Sequence, residues 1–163
     1  MRRRLPLVVR CAAVAAGVAQ LGCASQPPSA TPPFKPVTTV VELMESVIAH
    51  AAEVYWGSVQ VTVDETGEHE RYPQNDEEWE SVWAAALAIA ESGNLLMMPP
   101  RAVDAGAWMQ FSRSLIEAGV EAAAAAEARD VERVFAAGEQ VYNACTACHV
   151  RYLPEPQRVS GQN

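Results

Sequence analysis

Cys145-Thr146-Ala147-Cys148-His149-Val150-Arg151-Tyr152 stands near the end of a chain of 163 residues. Its first five residues read C-x-x-C-H, the attachment signature for a c-type haem, in which two thiols add to the haem vinyl groups and the imidazole takes one axial iron position. On a helix, positions i, i+3 and i+4 share a face, so Cys145, Cys148 and His149 can meet one flat macrocycle. A structural zinc site needs a second Cys or His pair, and none with ligand-like spacing occurs. A thioredoxin-type redox pair needs a βαβ setting that the flanks do not supply.

Outward from the motif, the apolar spacing is helical. Val131, Val134, Phe135, Gly138, Val141, Tyr142, Cys145, His149 and Tyr152 fall on one broad face of a helix that Asp130 caps and Pro154 closes. Before it, Trp108, Phe111 or Ser112, Leu115, Gly119 and Val120 mark a helix starting near Asp104. It continues into the Ala122 to Ala126 tract, a strong helix former that lets neighbours approach closely. Trp79, Val82, Trp83, Ala86, Leu87 and Ala90 define another helix, capped by Asn75 or Asp76 and ending at Gly93-Asn94. The first helix opens on Thr39-Val40-Val41-Glu42, a capping box, and shows Val40, Met44, Val47, Ile48, Ala51 and Tyr55 on one face, stopping near Gly57. Between these two, Val59, Val61 and Val63 alternate with polar residues before Glu65-Thr66-Gly67, which reads as a short hairpin or extended loop. Four amphipathic helices with mostly short connections predict an all-α, up-down-up-down four-helix bundle over 38–155, followed by a disordered tail, 156–163.

The N-terminus reads as an export signal over residues 1–22. Arg2, Arg3, Arg4 and Arg10 precede an apolar run, Cys11 to Leu21, too short to span a bilayer comfortably. Leu21-Gly22-Cys23 resembles a lipobox, with Gln20 where an aliphatic residue is usual, so Cys23 is the expected lipidation site. Ordinary cleavage after Ala24 is the alternative. Export suits covalent haem, which is joined to apoprotein outside the bacterial cytoplasm, and makes the periplasm the expected location. Residues 23–37 are Pro-rich; at about 3.1 Å per residue such a tether holds a domain some ~30–40 Å from a membrane. With Cys11 in the leader, Cys23 for lipid and Cys145 with Cys148 for haem, no cysteine is left for a structural bridge. Removing the leader takes four arginines and no acid, moving the net charge from −8 to −12. That excludes nucleic acid as an expected partner and suits a basic redox protein.

A motif at the end of the last of four helices resembles class II c-type cytochromes, the cytochrome c′ family. The resemblance spans roughly Thr38 to Leu153, and its specific part is Cys145 to Tyr152, similar to the family's C-x-x-C-H-x-x-Y-R. Leu153 stands where that arginine is expected, and Arg151, two positions away, is expected to point elsewhere. In the family the sixth iron position faces the first helix: an apolar residue leaves it open to small gases, and a methionine closes it. Aligning Glu42 to Ile48 with that helix puts Met44 at the distal position. A thioether is a suitable soft ligand and raises the potential. Met97 and Met98, in the Leu95 to Pro100 connection, are rivals; Met109 reads as core, and His50 and His69 as solvated. Tyr142 and Tyr152 are placed to pack at the haem edge, with Tyr55 and Trp56 covering it from the first helix.

The resemblance therefore implies one covalent haem c, held by Cys145 and Cys148 and ligated by His149 and Met44, in an exported single-electron carrier. A five-coordinate gas-binding protein for nitric oxide or carbon monoxide and a haem-bearing accessory subunit of a larger oxidoreductase are the alternatives. No Ser-His-Asp arrangement, catalytic carboxylate pair or phosphate loop points to an enzyme. Beyond a redox partner and the lipid anchor, a homodimer is left open.

Overall fold

A computed structural model describes residues 34–153. The leader, Cys23, most of the tether and the tail from Pro154 lie outside the described residues. The chain divides into two units, Met1–Phe34 and Lys35–Asn163, and every element below belongs to the second.

The first helix begins where its capping box predicts. Thr39 Oγ1 accepts from the Glu42 amide at 3.2 Å, and Glu42 Oε2 accepts from the Thr39 amide at 2.8 Å, two otherwise unpaired donors satisfied reciprocally. The helix is one rod in three parts: α1 (Val40–Leu43), a π-helical turn (Met44–Ile48) and α2 (Ala49–Trp56). The π turn was not legible in the spacing, and it re-phases the rod. Its wider loop, closed by the Ala49 amide on Met44 O, puts an extra residue between inward positions. Leu43 and Ile48, five apart, are buried with Ala51, Ala52 and Tyr55, while Val47 turns outward.

Two strands follow, β1 (Gln60–Asp64) and β2 (Gly67–Arg71), antiparallel with Asp64 opposite Gly67. The Asp64 carboxylate accepts from the amide and hydroxyl of Thr66 at 2.7 and 2.6 Å. Gly67 takes φ +130°, a conformation open to glycine. Every hairpin residue is exposed, so it lies outside the core.

Helix α3 (Asp76–Met97) is capped by the Asn75 side chain, which accepts from the Glu78 amide at 3.0 Å. The helix passes through Gly93-Asn94 rather than stopping there. Gly93 is a contact, not a terminator: a Cβ on it would lie 2.5 Å from Ile116 Cγ1 and 2.6 Å from Ser112 O. Both partners belong to α4 (Ala107–Glu127), which packs against α3 more extensively than any other pair does. Gly119 repeats the arrangement from the α4 side, where a Cβ would meet the Ala90 amide at 2.6 Å. The Asp104 carboxylate caps α4, accepting from the amides of Gly106 and Trp108 at 2.7 and 3.2 Å. At the α3–α4 corner the buried Arg101 donates to Thr38 O at 3.1 Å and Thr38 Oγ1 at 2.9 Å, tying down the entry to the first helix.

Helix α5 (Val131–Tyr152) starts at Asp130, whose side chain accepts from the Arg133 amide at 3.0 Å. Its buried residues, Val134, Ala137, Gly138 and Val141, all fall in its first half. Phe135 and Tyr142, on the face expected to be inward, are exposed. Four helices and one small sheet thus make the described residues mostly helical. No helix among the described residues is long and apolar enough to cross a membrane.

The close approach at Gly119 has a measurable sign. An exposed helical Gly→Ala change should stabilise by up to about 1 kcal/mol, but here the new methyl meets main chain, so Gly119→Ala should instead destabilise by about 1–3 kcal/mol. Urea unfolding of the two proteins checks this; equal or greater stability of the variant would contradict the packing.

Candidate functional site

The half of α5 that buries nothing carries the motif, and it borders a cavity of ≈ 260 Å³. One wall is the first rod, with Met44, Ile48, Ala49, Ala52 and Trp56; another is α5, with Tyr142, Ala144, Cys145, Thr146, Cys148 and His149. Leu96 of α3 and Phe111, Ser112 and Leu115 of α4 complete it. The π turn shapes the first wall, since Met44 and Ile48 are its two ends. Among the described residues no Asp, Glu, Lys or Arg lines the space.

Local bonds fix both walls. Trp56 Nε1 donates to Gly138 O at 3.0 Å, and the indole meets Tyr142 edge-on with centroids 6.2 Å apart. Gly138 gives the ring room: a Cβ there would stand 3.3 Å from Trp56 Cδ1. Tyr55 does not reach the cavity. It is buried, with its hydroxyl 3.2 Å from Val134 O and 3.4 Å from Ala122 O, and burial pushes its pKa far up. Tyr152 is also elsewhere. Its hydroxyl donates to Asp104, holding that carboxyl below the usual range, and its ring packs edge-on against Trp108 at 5.0 Å. The contact pins the end of α5 to the start of α4. Arg151 lies over the Tyr152 ring at 5.6 Å, away from the cavity lining. Trp108 Nε1 in turn donates to Leu96 O at 2.8 Å, holding the α3 end where Leu96 reaches the cavity.

Met44, Cys145, Cys148 and His149 are thus brought to one space. The remaining candidates are not. Met97 is the last residue of α3 and Met98 its C-cap, and neither lines the cavity. Met109 is half-buried against the core. His50 is exposed beside a separate cleft, and His69 is exposed on β2 with its ring 3.2 Å from Asp64. Cys23 lies outside the described residues. Ile48 and Ala52 joined the site without a sequence signal of their own, because helical spacing marks only an inward face, and Leu96 was missed because it fell in the expected Leu95 to Pro100 connection, whereas α3 runs on to Met97.

Both cysteines are free thiols. Burial, then the neighbouring Cys148, pushes the Cys145 thiol up to about 11, and burial also raises Cys148. Neutral, half-buried thiols against an apolar space are the reverse of the depressed thiolate of a disulfide oxidoreductase. The donor types and lining fit a haem: two thiols and an imidazole from α5, a thioether from the first rod, and mostly apolar side chains between them. At ≈ 260 Å³ the cavity is below the usual ~300–1,000 Å³ of small-molecule sites. Comparisons with protein-family models, curated proteins and solved structures found no match.

Proposed function

We propose that the chain is an exported monohaem c-type cytochrome of the class II kind, an up-down-up-down four-helix bundle that carries single electrons. The observation that supports this most is the cavity itself, with Met44 on one wall and Cys145, Cys148 and His149 on the other. When bound, the haem supplies the one-electron Fe(III)/Fe(II) couple. The chain's own residues do the rest. Cys145 and Cys148 would tether the group by thioethers, and the His149 nitrogen and Met44 sulfur would hold its iron. The apolar lining excludes water, and two side-chain ligands held by packed helices keep reorganisation small. The Tyr152–Asp104 bond steadies the turn that carries His149.

The localisation proposed with it is a periplasmic lipoprotein anchored at Cys23, with the Pro-rich segment as tether.

Replacing Met44 with Ala should convert a low-spin ferrous protein into a high-spin one that binds carbon monoxide readily, with a lower reduction potential, because the thioether favours Fe(II). The wild type should bind it poorly. A wild type that takes up carbon monoxide as fast as the variant would make gas binding the better reading. Cys23→Ser should release the protein from membranes or block its processing; an unmodified mature terminus in mass spectrometry would rule the anchor out.

A further inference from the structure

A second depression, ≈ 590 Å³, lies beside the haem cavity and shares two residues with it, Trp56 and Tyr142. One side is β1, with Val59, Gln60, Val61 and Thr62; the other is α5, with Val134, Phe135, Gly138 and Glu139. Its rim is unusually apolar for solvent. Phe135 is 60 % exposed, Tyr142 58 % and Val61 54 %. On α5 the spacing predicts Phe135 to be inward, yet the core does not take it. Contiguous exposed aromatics of this kind mark an interaction surface.

We propose that this groove is the docking surface for a redox protein presenting an apolar patch ringed by lysine or arginine, and that Trp56 and Tyr142 link it to the cofactor cavity. The inference rests on the haem reading above. Charge selects the partner. Glu139 is the acidic side chain lining the groove. The hairpin that forms one side carries Asp64, Glu65, Glu68 and Glu70 against Arg71. On α5, Arg133 is taken up by Glu121 at 2.8 Å. Acidic side chains flanking an apolar groove attract a basic surface, speed its encounter, and oppose a second copy of this chain through like charge. Position selects the role. A protein seated over Phe135 and Val61 touches Trp56 and Tyr142, which also line the cavity. One electron crosses from the partner to the bound haem, with no bond made or broken and no proton required.

The test uses the haem-loaded ferric protein and zinc-substituted mitochondrial cytochrome c, a lysine-rich probe whose photoexcited state donates an electron. Quenching should be fast at low ionic strength and slow with added salt. Phe135→Ser and Val61→Ser should each lower the rate about tenfold, the effect of losing an interface anchor. Glu139→Lys should lower it and flatten its salt dependence. Reduction by ascorbate and the absorption spectrum should be unchanged in all three, and Trp83→Ser, in a different cleft, should behave as wild type. Groove variants that quench at the wild-type rate, loss confined to Trp83→Ser, or a wild-type dimer that Phe135→Ser dissociates would overturn the proposal. A protein with no reducible haem would instead bring down the reading it rests on.

Discussion

Tyr55 and Trp56, adjacent at the end of the first helical rod, hold that rod to α5 through main-chain acceptors. The Tyr55 hydroxyl sits between Val134 O and Ala122 O, and the Trp56 indole N–H reaches Gly138 O. Each such bond is worth only about 1 kcal/mol net, but an unmet buried donor costs more, so the pair fixes where the rod meets α5. Up to that meeting α5 is core; beyond Val141 it buries no residue. The cavity is what the two elements enclose past the clamp. Met44 and His149 border the same space because Trp56 and Gly138 set the alignment.

The α3–α4 pair supplies the rigid back of this arrangement. Gly93 against Ser112 and Ile116, and Gly119 against Ala90, bring main chains nearer than any side chain would permit. Close-packed helices leave few ways to relax. Leu96, Phe111 and Leu115 therefore reach the cavity from a surface that cannot easily shift. The ligand-bearing side is steadied separately, by Tyr152 on Asp104 and Trp108. A proposed electron carrier benefits from such a frame, since ligands that hardly move between oxidation states leave little to reorganise.

What could be read in advance was local. The caps at Thr39, Asn75 and Asp130 each depend on a side chain and an amide three residues on, and all three stand where the residue types put them. The C-x-x-C-H spacing is local too, so the alignment of Cys145, Cys148 and His149 on one helix face was legible. What was missed depended on distant partners. Gly93 looks like a terminator in isolation and becomes a contact point only because Ile116 lies against it. The π turn at Met44–Ile48 shows in no residue preference; it appears as a five-residue step from Leu43 to Ile48. Phe135 carries the right period for the core yet sits on a rim, because the hairpin does not close over it. Tyr152 and Tyr55 follow the same pattern: aromatic character signalled burial, but which pocket each enters was decided by Asp104 and by the α4 and α5 carbonyls.

An apolar lining, two half-buried thiols, an exposed imidazole and a half-buried thioether border one space, and together they support the proposal of a covalently held haem with two side-chain ligands. Near-infrared magnetic circular dichroism of the purified ferric protein tests it most directly, because the low-spin charge-transfer band identifies the axial pair. The account predicts the band of a methionine–histidine haem. A bis-histidine or high-spin spectrum, or a protein without haem, would contradict it.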